Sequence, residues 1–187
     1  DEGYLLSKNN YDENSIIIET FTLSHGKCSG LVYGGASRKQ KKIFQIGNKI
    51  FLNCKSKAEN KPGYFSVELI KPIAPYFFDD KKRSICILSL TSILKILLPE
   101  RQNNKKVYDS FELMINNLNN KNWIGLYIEW ELSLIKELGY ELDIQNRRDS
   151  NFIEINNKSL KIPKIFLKDK IDAIYNNDIK EALIFNK

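Results

Sequence analysis

Residues 15–42 read SIIIETFTLSHGKCSGLVYGGASRKQKK, and this stretch decides the fold. Residues 16–22 are dense in β-branched and aromatic side chains, the composition of a strand. Ser24-His25-Gly26 is a tight-turn signal, and 27–33 resumes the strand. Gly34-Gly35 then leads a cationic segment, Arg38, Lys39, Lys41 and Lys42, which reads as a flexible, positively charged loop. The same texture extends outward. Residues 3–8 form a short apolar run, 9–14 a polar turn, and 49–57 and 64–70 further strands around a polar loop that ends in Pro62-Gly63. Five short strands at roughly ten-residue spacing predict a small closed barrel or sandwich.

The texture changes after Pro72 and Pro75. Residues 82–98 carry a helical apolar pattern (Ile85, Leu88, Ile93, Ile96, Leu97) that stops at Pro99. A second helix is predicted over 105–118 from Val107, Tyr108, Phe111, Met114, Ile115 and Leu118. A third is predicted over 122–138, with Gly139 at its C-terminal cap. Residues 143–151 read as a polar break, 159–163 as irregular, and 167–185 as helical again. The class is therefore α+β, with 1–77 as the strand-rich domain and 78–187 as the helical one. The apolar run 182–185 before Lys187 reads as mid-helix, so the C-terminal part is expected to be cut short. The chain starts without Met, so at least one preceding residue is expected. Its acidic, Asn-rich opening is the wrong flank for a signal peptide. Apolar runs are too short to span a bilayer. Three cysteines, Cys28, Cys54 and Cys86, predict reduced thiols in a cytosolic compartment and no zinc knuckle.

Charge is unevenly spread. The formal net charge is +6, yet residues 24–71 alone hold ten basic side chains and two acids, leaving the rest net negative. Such localisation predicts a polyanionic partner, against the plainer reading of a lysine-rich surface in a compositionally biased sequence. Tyr33, Phe44, Phe51, Tyr64 and Phe65 are interleaved with the cations. Aromatics so placed are either barrel core or platforms for base stacking, and in Phe51-Leu52 and Tyr64-Phe65 the neighbours must face opposite sides.

Catalytic equipment is sparse. His25 is the single histidine and sits in a turn, and Cys28 three residues on belongs to the following strand. The Gly34-Gly35 segment matches neither phosphate-loop nor dinucleotide-binding spacing. Acids occur singly or in exposed pairs such as Asp79-Asp80, without the cluster that two-metal hydrolysis needs. Glu131 falls on the apolar face of its helix and reads as meeting a buried partner. No enzymatic role, catalytic residue, metal or cofactor is expected.

The order of motifs resembles the RecO family of bacterial recombination mediators. The chain opens Glu2-Gly3-Tyr4-Leu5-Leu6. It continues through Phe21-Thr22-Leu23-Ser24-His25-Gly26-Lys27 to Gly34-Gly35-Ala36-Ser37-Arg38-Lys39, closes the strand region with Glu68-Leu69-Ile70, and ends a helix with Glu137-Leu138-Gly139-Tyr140. The resemblance implies an oligonucleotide-binding (OB) barrel followed by a helical domain. It also implies binding of single- and double-stranded DNA, strand annealing, and help in loading RecA. The implied partners are RecR and the acidic C-terminal tail of single-stranded-DNA-binding protein. The implied location is cytoplasmic and nucleoid-associated, with no membrane partner. By position, the loop 34–42 would meet DNA, which makes Lys27, Arg38, Lys39, Lys41, Lys42 and Lys49 the candidate contacts. Some family members carry a four-cysteine zinc site after the Leu-Gly-Tyr helix; residues 141–157 hold no cysteine, so no zinc is expected. Two other function classes remain beside this reading: an RNA-binding OB module, and a hydrolase built on His25 or carboxylates.

Overall fold

Strand β1 (Glu2–Asn10) buries Tyr4, Leu5 and Leu6 in succession. Neighbouring side chains on a strand point to opposite faces, so an unbroken buried run means that both faces are covered. In the computed structural model, which describes residues 1–38, 40–55, 64–139, 152–155 and 158–161, the two coverings are a barrel interior and an outer aromatic layer. β1 pairs antiparallel with β2 (Ile16–Thr22) and β4 (Lys49–Lys55), β2 with β3 (Gly26–Val32), and β4 with β5 (Tyr64–Lys71). A parallel pairing of β3 with β5, at Leu31 and Tyr64, closes the barrel in the order β1-β2-β3-β5-β4. This OB-like barrel is the architecture that the sequence predicted.

Inside it, Leu5, Ile16, Ile18, Val32, Phe44, Ile50 and Leu52 form the core, with Phe65, Val67 and Leu69 packed against it. Outside, Tyr4 and Phe21 are cross-strand partners, and the Tyr108 ring tilts against both at 5.8 and 5.5 Å between centroids. Each buried aromatic of this kind contributes roughly 1.5–3 kcal/mol of burial.

The helices are α1 (Lys81–Leu97), α2 (Lys105–Asn116) and α3 (Trp123–Glu137), each within a residue or two of expectation. Asp80 caps α1 by accepting from the Arg83 amide at 3.0 Å, and its side chain also pairs with the Arg83 guanidinium. Gly139 takes φ +82 after α3, as the capping reading requires.

The sequence chose the wrong face of α1. Cys86, Ile87, Leu90, Thr91 and Leu94 are buried, whereas Ile85, Leu88, Ile96 and Leu97 are exposed. The helix is apolar on two sides, so periodicity alone could not select between them. In α3 the reading missed Trp130, which is buried beside the half-buried Glu131. A two-stranded hairpin, β6 (Phe152–Ile155) with β7 (Lys158–Lys161), replaces the irregular segment expected from residue 159. The helix expected over 167–185 lies outside the described residues.

By compactness the chain divides into Asp1–Tyr108 and Asp109–Lys187, the division falling inside α2. In the second unit Phe111 and Trp130 pack at 6.1 Å, with Tyr127 beside Trp130 at 6.2 Å. No helix among the described residues is long and apolar enough to cross a membrane.

Two positions hold the barrel's connections. Gly26 adopts φ +69, and a Cβ there would stand 2.0 Å from the Gln102 carbonyl oxygen. Asn48 is fully buried. Its Nδ2 donates to the Lys42 and Ile43 carbonyls at 3.1 and 3.2 Å. Its Oδ1 accepts from the Ile73 and Ala74 amides at 2.8 and 3.3 Å.

Gly26→Ala is therefore expected to destabilise the chain by about 2–4 kcal/mol, from left-handed strain plus a clash with immovable backbone. Asn48→Ala, which orphans four partners, is expected to cost about 2–4 kcal/mol. Urea unfolding checks both: the midpoint should fall at unchanged slope.

Candidate nucleic-acid interface

The segment between β3 and β4 is cationic, and it is built rather than slack. Gly34, at φ +70 with open space around it, turns the chain, and the Ser37 amide donates back to the Gly34 carbonyl at 3.1 Å. Gly35 is needed for a different reason: a Cβ would sit 2.6 Å from the Ile16 side chain. The Ala36 amide donates to the Asn14 carbonyl, tying the loop to the β1–β2 turn. Gln40–Lys42 then forms a single 3-10 turn, closed by the Ile43 amide on the Gln40 carbonyl at 2.9 Å. Phe44 plugs into the barrel core, and Lys8 Nζ donates to its carbonyl at 2.6 Å. The flexible loop expected from sequence is thus pinned at both ends, because Phe44 and Asn48 each have buried partners to satisfy.

Arg38, Lys41 and Lys42 are exposed on this scaffold and make no ion pair among the described residues. Lys39 lies outside the described residues. The other two candidates are occupied within the molecule. Lys27 Nζ donates to the Lys95 carbonyl at 2.9 Å. Lys49 pairs with Glu2 at 2.9 Å and stands 5.8 Å from the centre of the Tyr4 ring. Both are half-buried. A phosphate contact at either would have to compete with these partners.

The interleaved aromatics separate cleanly. Phe44 is core, and Phe65 packs across Gly30, whose missing side chain makes room for the ring. Phe51 faces out and Leu52 in. Tyr33 is 63% exposed and stacks on Tyr64 at 4.9 Å and 21°. The Tyr33 phenol is held above its ordinary pKa chiefly because its O–H donates to the Tyr64 oxygen, which favours the protonated form. Spacing marked both tyrosines as possible platforms; it could not show that they would stack on one another. Beside them, Gln40 carries a buried side-chain oxygen with no hydrogen-bond partner among the described residues. No motif drew attention to it.

The groups that could carry hydrolysis are not assembled. His25 is exposed, and its Nδ1 meets Asp1 at 2.8 Å. The Cys28 thiol is directed to the His25 backbone carbonyl, not to its ring, and burial raises its pKa. Among the described residues no three His, Cys, Asp or Glu side chains are grouped as metal ligands would be. The segment 141–157, where some relatives of the resembled family hold zinc, lies almost wholly outside the described residues.

Comparison with known proteins agrees with the architecture. Residues 1–73 match the family described as Recombination protein O N terminal, and 79–154 match Recombination protein O C terminal. A protein named DNA repair protein RecO from Wolbachia pipientis subsp. Culex pipiens is 35% identical over 146 residues, 77% of this chain and 60% of that protein. Its namesake from Cereibacter sphaeroides is 33% identical over 144 residues, with the same coverage. The one from Roseobacter denitrificans is 34% identical over 146 residues, 78% of this chain and 61% of its own. The chain spans about 60% of the length of these relatives. With an OB-like barrel first, helices after it, and both family regions matched in order, the chain belongs to the RecO family of DNA repair proteins.

Proposed function

We propose that this chain is a non-catalytic DNA-binding mediator. It binds single and double strands through the barrel, promotes their annealing, and assists RecA loading together with RecR and the tail of single-stranded-DNA-binding protein. The reading takes 1–77 as the DNA-binding domain and 78–187 as the helical one, and places the protein at the bacterial nucleoid in the cytoplasm.

One observation carries it. Arg38, Lys41 and Lys42 stand exposed on a pinned loop of an OB-like barrel and make no ion pair with a carboxylate among the described residues. Cations so held attract phosphates and release counterions, which gives affinity without sequence preference. Pinning matters energetically, because a preordered loop loses less entropy when it binds. Neutralising both strands of a pair also lowers the repulsion that opposes annealing. Membership of the RecO family supports DNA over RNA as the polyanion, and supports the protein partners, which charge alone could not identify.

Neutralising Arg38, Lys39, Lys41 and Lys42 together to Gln or Ala should abolish most binding in a fluorescence-anisotropy titration while the fold stays intact by circular dichroism. It should flatten the slope of log affinity against log salt by up to about 3 for single strands. Unchanged affinity would sink the assignment, and equal affinity for a matched RNA would favour an RNA module. A pull-down with the acidic tail peptide of single-stranded-DNA-binding protein is expected to retain the chain; failure there removes the mediator role and leaves DNA binding standing.

A further inference from the structure

The stacked tyrosines stand at the mouth of a groove of about 300 Å³. That is the lower end of small-ligand sites, roughly 300–1,000 Å³. Its apolar floor is Phe44 and Phe65, and its polar groups include Gln40, Lys55 and Ser66. Among the described residues, no lining residue is acidic. Among the described residues, β3 and β5 register at Leu31 and Tyr64, and Tyr33 stands one residue past the end of β3.

Resting on the DNA-binding reading above, we propose that this groove is a subsite for one unpaired base of a DNA single strand, stacked on the Tyr33–Tyr64 pair, with Lys55 on the adjoining phosphate.

Three features converge on that ligand. A pair of parallel aromatic rings selects a flat partner. Tyr33, 63% exposed although one face is covered by Tyr64, has its other face available to extend the stack. Lys55, with no acid beside it among the described residues of the groove, selects an anion attached to that flat group. The buried Gln40 oxygen lacks a donor among the described residues, and an unsatisfied buried acceptor costs about 1–3 kcal/mol, so a side-chain rotation that carries it to a ligand's N–H is favoured. Thymine N3–H, guanine N1–H and the exocyclic amines of adenine and cytosine all qualify. In a duplex the imino donors and one N–H of each exocyclic amine are engaged by the opposite base, and the ring faces are stacked away. The groove therefore discriminates single from double strands, which the loop cations cannot do, since both forms present phosphates. Asp12 adds a small repulsion to the Tyr33 phenolate, and its carboxylate is taken up by the Asn14 and Ser15 amides at 2.8 and 2.6 Å.

The test is anisotropy with the 187-residue chain and three labelled probes of equal length: an oligothymidine, an abasic strand with the same backbone, and a duplex. Tyr33→Ala should weaken oligothymidine binding roughly 5- to 100-fold, the size of one lost base stack, and leave the abasic strand and the duplex within about two-fold. Tyr33→Phe, which keeps the ring, should behave as the unsubstituted chain. Gln40→Leu should also weaken oligothymidine selectively. Equal losses on all three probes, or no loss, would overturn the subsite while leaving the loop assignment untouched. If the unsubstituted chain binds none of the probes, the DNA reading itself fails, and the subsite with it. Thermal melting of each variant separates these outcomes from unfolding.

Discussion

Asn48 is the constraint on which the barrel and its candidate interface both depend. A single buried amide donates to the carbonyls that end the 3-10 turn and accepts from the amides where the chain leaves β5. Its backbone adds a third connection, since the Asn48 carbonyl accepts from the Leu5 amide while the Gly47 amide donates to the Leu5 carbonyl. Three segments of the chain thus meet at one residue. The interior is poor in water, so these bonds cannot be exchanged for solvent without leaving orphaned groups. Loop geometry is consequently inherited from the core: the turn that displays Lys41 and Lys42 ends at carbonyls that Asn48 has fixed.

Much of the fold was legible because the residues involved carry unambiguous local signals. The strands followed from β-branched runs bounded by turn residues, and the α2 stripe from Val107 to Leu118 turned out buried at each named position. Legibility failed where two answers were locally equivalent. In α1, Ile85, Leu88 and Ile96 are as apolar as Ile87, Leu90 and Leu94, and only the packing of Ile87 over Gly47, against β1, breaks the tie. The hairpin of β6 and β7 was missed because four-residue strands fall below the length at which alternation can be recognised.

The candidate site was half legible, for a related reason. Exposed cations announce themselves by composition, so Arg38, Lys41 and Lys42 could be named directly. Lys27 and Lys49 carry the same charge, but their neighbours in space are set by pairings across many residues: Lys27 reaches Lys95, and Lys49 reaches Glu2. Sequence counts charges; only the fold shows which of them are already matched.

One of the motifs that carried the family resemblance illustrates this division. In Phe21-Thr22-Leu23-Ser24-His25-Gly26-Lys27, Phe21 packs on Tyr108 and the Thr22 hydroxyl accepts from the His25 amide at 3.2 Å while donating to the Gly26 carbonyl at 3.1 Å. Gly26 makes room for the Gln102 backbone, and Lys27 anchors on the end of α1. Every one of these roles is architectural. This stretch therefore serves the architecture of the barrel, whereas the surface proposed to meet DNA lies in exposed side chains elsewhere. A surface that neutralises phosphates needs charge density more than fixed residue identities. A glycine at positive φ, whose Cβ would stand 2.0 Å from the Gln102 carbonyl oxygen, has no substitute.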